Sequence, residues 1–104
     1  MRTDLTQDLA GTTVRGVVTI GALIEIAEHR DDFALLSRRI HEANAPDVRA
    51  VMRACLRAAG DLKPLDVNSE VDRLIEEAGL QVCSQFCDRL LVYAFNKTET
   101  ARVN

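Results

Sequence analysis

Along most of the chain, apolar residues recur three and four positions apart, the spacing of a helix with one buried face. The clearest case is Asp47–Gly60. Val48, Val51, Met52, Cys55, Leu56 and Ala59 share one apolar face there. Arg49, Arg53 and Arg57 form a second stripe on its flank, and Ala50, Ala54 and Ala58 a third, small enough for another helix to approach closely. Pro46 suits the first turn of this helix, and Gly60 supplies the left-handed stop that helix ends favour.

The same spacing predicts four more helices. One covers about 20–29, capped by Thr19, whose hydroxyl can accept an orphan backbone N–H. Its apolar stripe is Ile20, Leu23, Ile24 and Ala27, with Ile26 off the stripe and facing a neighbour. A second, about 32–43, opens on Asp31-Asp32 and buries Phe33, Leu36 and Ile40. Asn44-Ala45-Pro46 breaks the chain before the third. After a loop at 61–68, a fourth helix of about 69–78 buries Val71, Leu74, Ile75 and Ala78 and stops at Gly79. The fifth, about 81–96, is the longest amphipathic run, with Cys83, Phe86, Cys87, Leu90, Leu91, Ala94 and Phe95 on one face. The β-branched stretch Thr12–Val18 reads as a short strand weakened by Gly16. The expected fold is mainly α, with about five amphipathic helices in one compact domain behind a short N-terminal extended segment or strand. Residues 1–11 read as a flexible arm, 12–97 as the helical domain and 98–104 as a frayed tail.

Composition narrows the picture. The chain has 104 residues and is 47% hydrophobic, with three Phe, one Tyr and no Trp, so its core is aliphatic. A net charge of −3 differs from the basic footprint of a general nucleic-acid binder and suits a protein partner better. No run approaches the ~18 apolar residues of a membrane helix, and the polar N-terminus lacks a signal-peptide core. Three cysteines without framework spacing fit a reducing compartment. The chain is expected to be soluble and intracellular.

Chemistry-bearing motifs are sparse. There is no phosphate-binding loop, dinucleotide fingerprint, nucleophile elbow or His-Glu-x-x-His. His29 and His41 read as surface residues near helix C-termini, where a cation suits the dipole. Cys83 and Cys87 lie four apart on an apolar face, where free Cys acts as a small hydrophobe. A zinc site would need Cys55 and a histidine as well, without recognisable spacing. No enzyme activity, metal or cofactor is expected. Glu70, Asp72, Glu76 and Glu77 form an acidic face on the fourth helix, either solvated or turned toward the arginine stripe. Arg49, Arg53 and Arg57, widened by Arg38 and Arg39, are the candidate partner-binding residues, since the planar guanidinium suits interfaces.

Two blocks resemble a known family. Val17-Val-Thr-Ile-Gly-Ala-Leu-Ile-Glu-Ile-Ala-Glu28 is similar to the strand-to-helix opening of the phage and gene-transfer-agent tail-assembly chaperones, a tail-tube-associated family. Thr19, Gly21, Ala22, Leu23 and Glu25 match it in place. Asp47-Val48, Val51, Leu56 and Gly60 resemble the family's Asp-Val-x-x-Val helix, and Val71, Leu74, Ile75 and Gly79-Leu80, followed by Leu90-Leu91, extend the match to roughly residues 12–95. Family members carry a fuller N-terminal hairpin, and their second acidic position is Ala27 here, displaced to Glu28. The resemblance implies a non-enzymatic protein that binds the tape-measure protein, the tail-tube protein or both during assembly, with self-association left open. Exposed apolar surface for this role would come from Ile26, Leu35 and Val92. The rival readings are a small helix-turn-helix-like regulator using Arg38, Arg39, Arg49 and Arg53, and a structural tail component retained in the particle. Nucleic acid and membrane are not the expected partners.

Overall fold

The chain opens with a β-hairpin, as seen in a computed structural model that describes the backbone of residues 2–103 and the side chains of residues 3–95. Strand β1 (Arg2–Leu9) pairs antiparallel with β2 (Thr12–Thr19), in a register that sets Leu9 against Thr12 and Thr3 against Val18. The two-residue loop Ala10-Gly11 has positive φ at both positions, 52° and 83°, as the tight turns that match strand twist require. Residues 2–9, expected within a flexible arm, therefore form a strand. Thr3, Leu5 and Leu9 alternate with polar neighbours and turn inward, and Leu9 is fully buried.

Gly16 does not weaken β2. A Cβ there would lie 2.9 Å from Leu90 Cδ1 and 3.1 Å from Phe86 Cζ, so glycine is what lets the last helix pack onto the hairpin. β2 is buried on both faces, through Val14, Gly16 and Val18 on one and Val17 on the other.

Five helices follow: α1 (Ile20–His29), α2 (Phe33–His41), α3 (Ala45–Ala59), α4 (Val67–Ala78) and α5 (Leu80–Val103), with a 3₁₀ turn at Pro64–Asp66. Their ends follow local capping chemistry. The Thr19 hydroxyl accepts from the Ala22 N–H at 3.0 Å, and Asp32 accepts from the Leu35 N–H at 3.1 Å. Gly60, at φ 75°, ends α3 in the left-handed region. The tail expected at 98–104 begins within α5, and its side chains lie outside the described residues.

α3 is the central element and touches β2, α1, α2, α4 and α5. Its apolar face and two of its three small stripe residues, Ala50 and Ala54, are buried as expected. α1 differs from expectation. Ala22 and Ile26 face the core, while Ile20 and Ile24 are 54% and 57% exposed. Leaving the hairpin through the Thr19 cap fixes the rotation of α1, and that rotation turns Ile26 inward. Ile26 is thus part of the core rather than an exposed binding position.

Candidate functional site

Three places bear on the candidate site. The first is the arginine stripe of α3. Arg49 grips Asp72 of α4 with two bonds, Nε at 2.7 Å and Nη2 at 3.2 Å. Hydrogen bonding by Arg49, with its charge, holds the Asp72 carboxyl below its ordinary pKa. Arg57 Nη1 lies 3.0 Å and Arg53 Nε 3.6 Å from Glu25 of α1. The stripe is therefore matched by carboxylates from both flanking helices. Asp72 alone of the acidic face meets it, because Glu70 and Glu77 bind Arg73 within α4 at 2.7 and 2.6 Å. Glu25 belongs to the block that carries the family resemblance, so the tertiary structure couples that block to arginines outside it.

The second place is a carboxylate hub. Asp47, in the first turn of α3, has a side chain with no exposed surface. It accepts from His29 Nε2 at 2.9 Å, Arg30 Nε at 2.8 Å and Arg39 Nε at 2.9 Å. Asn44 completes the ring with its amide nitrogen turned to Asp47 Oδ2 and its oxygen to Arg39 Nη2, both at 2.6 Å, the orientation its neighbours require. Burial by itself would raise the Asp47 pKa. Hydrogen bonds from Arg30, Arg39 and His29 outweigh it and hold the group below the usual carboxylate value. The donors come from the C-terminal ends of α1 and α2 and the acceptor from the start of α3, so every charge agrees with its helix dipole.

This arrangement ties His29, which lies at the surface on the last turn of α1 as expected, to Asp47. It also turns Arg39 inward, away from the patch it was expected to widen. Both Asp47 oxygens are fully engaged, so the hub is a clasp on three helix ends and holds no free lone pair for proton transfer. Sequence reasoning missed it because His29, Arg30, Arg39 and Asp47 are brought together from three separate elements. An Asp in a helical first turn was its only local signal. Beside the hub, an open groove of about 360 Å³ runs over Ala45, Pro46 and Ala50, between His29, Arg49 and Arg53.

The third place is an apolar groove of about 340 Å³ between α2 and α5, lined by Phe33, Ala34, Ser37, Leu91, Val92 and Phe95. Phe33 and Phe95 meet edge to face, with centroids 6.0 Å apart. Val92, Tyr93 and Phe95 are 47%, 50% and 45% exposed. Of the three positions expected to supply exposed apolar surface, Val92 does so and Leu35 is half-buried.

Cys55, Cys83 and Cys87 are free and buried. Burial, with the nearby Glu25 charge, pushes the Cys55 thiol up to about 12. Cys83 and Cys87 sit within hydrogen-bond reach of the Leu74 and Val48 carbonyls. Among the described residues, no three His, Cys, Asp or Glu side chains are placed to hold a metal ion, and no helix is long and apolar enough to cross a membrane. Comparison with known protein families, with curated proteins and with solved structures gives no match.

Proposed function

We propose that the chain is a non-enzymatic tail-assembly chaperone of a phage, prophage or gene-transfer-agent particle. It binds tape-measure protein, tail-tube protein or both in the cytoplasm of the bacterial host. The observation that supports this reading is the strand β2 that runs through the Thr19 cap into α1, the strand-to-helix order that the resemblance of residues 17–28 implies. Exposed apolar positions on α1 and α5 support a role in holding partners that are not yet assembled.

A regulator that binds DNA through α2 and α3 draws no support from the geometry. A recognition helix has to enter the major groove, whereas α3 is packed among β2 and the other four helices and its arginines are paired with carboxylates. The deciding experiment is co-expression with the tape-measure and tail-tube proteins of the source genome. The chain is expected to co-purify with a tape-measure or tube fragment and to be absent from finished particles. Stoichiometric presence in particles would replace this reading with a structural tail component. Binding to neither protein would sink it.

A further inference from the structure

We infer that the groove between α2 and α5 is a docking site for an amphipathic helix of a partner protein, one that carries a carboxylate beside its apolar stripe. Arg38 supplies the decisive observation. Among the described side chains, Arg15, Arg30, Arg39, Arg49, Arg53, Arg57 and Arg73 each lie against a carboxylate, and Arg89 donates to Gln7. Arg38 is exposed and is the one described arginine without such a partner.

Its position gives that free charge a direction. Ala34, Ser37, Arg38 and His41 follow at i, i+3, i+4 and i+7, so they share the outer face of α2. Ala34 and Ser37 line the groove, and Arg38 lies one turn along α2 from Ala34, next to Ser37 and outside the lining itself. The floor and far wall are Phe33, Leu91, Val92 and Phe95. An apolar trough with one unmatched cation beside it is complementary to an apolar stripe flanked by an acid.

The dimensions point to a helix as the occupant. The lining runs from Phe33 to Ser37 on α2 and from Leu91 to Phe95 on α5, roughly 6 Å on each side at 1.5 Å per residue. An anchor pair at i and i+3 or i+4 on an incoming helix spans about 5–6 Å and matches that length. The inference rests on the tail-assembly reading only for the origin of that helix.

The test uses the full chain, isotope-labelled, and two labelled 18-residue helical peptides with the same Leu stripe, one flanked by Glu and the other by Lys. The Glu peptide is expected to shift amides of residues 33–38 and 91–95 and to bind at least about tenfold more tightly than the Lys peptide. Arg38→Glu should reverse that preference. Val92→Asp, at a half-exposed position, should weaken the Glu peptide at least about tenfold without lowering Tm appreciably. Equal affinity for both peptides, or shifts confined to other faces, would overturn the inference. So would a concentration-dependent dimer that disappears in Val92→Asp, since it would put a second copy in the groove. A tape-measure fragment that displaces the Glu peptide supports both readings. One that binds without displacing it removes the groove and leaves the tail-assembly reading standing. Glu-peptide binding in the groove with no binding of any tape-measure or tube fragment does the reverse.

Discussion

Removing the Asp47 carboxylate would leave the guanidinium groups of Arg30 and Arg39 and the His29 ring facing one another at the junction of three helix ends. The carboxylate is wholly buried, while the two arginines keep about a third of their side chains in solvent and can partly rehydrate. Asp47→Ala is therefore expected to lose about 2–3 kcal/mol at neutral pH, below the figure for breaking a fully buried pair, measured by urea unfolding. The loss has a pH signature. Because the folded-state pKa of Asp47 lies below its unfolded value, the clasp is fully present above the ordinary carboxylate range, near 4. It fades as pH falls through the lower folded value. The wild-type advantage over Asp47→Ala should shrink below about pH 4, and a gap that stays constant to pH 2 would refute the clasp. His29 was legible as a helix-end cation but not as a member of this cluster, because its partner lies 18 residues away.

At the scale of the element, the hairpin turn carries a visible local cost. Ala10 sits at φ 52°, a left-handed conformation that Asn or Gly adopts more easily. Ala10→Asn should stabilise the protein by about 0.5–1 kcal/mol, read as a rise in Tm. A fall in Tm would mean that the turn is not a two-residue positive-φ loop. α3 invites a different test. Glu25 lies between Arg53 and Arg57, so replacing the stripe with Glu would stack like charges and confuse folding with binding. Arg49→Gln/Arg53→Gln/Arg57→Gln is the cleaner variant. Its pairs are substantially exposed and individually weak, so it should stay folded with Tm lowered by less than about 8 °C. Unimpaired tape-measure or tube binding in that variant would assign the stripe to holding α1 and α4 rather than to docking.

Across the whole molecule, the residues that carry the family resemblance share structural duties. Thr19 caps α1, Glu25 anchors two arginines, Asp47 clasps three helix ends, and Gly60 ends α3. These four residues hold the fold together, and none of them lines the groove between α2 and α5. By itself, the sequence determined the mainly α architecture, most helix positions, the Thr19 and Gly60 caps and the buried face of α3. Those features depend on interactions within about four residues, so periodicity and capping chemistry display them directly. β1 was hidden because Asp4, Thr6, Gln7 and Asp8 masked the inward alternation of Thr3, Leu5 and Leu9. Only the tertiary structure decided that Ile26 rather than Ile20 and Ile24 turns inward, and that Gly16 admits α5. It also decided that Arg49 meets Asp72, Arg57 meets Glu25 and Arg38 meets no carboxylate. The pairs concerned lie 23 and 32 residues apart, and helices bring such charges together by how they pack, which no local spacing along the chain encodes.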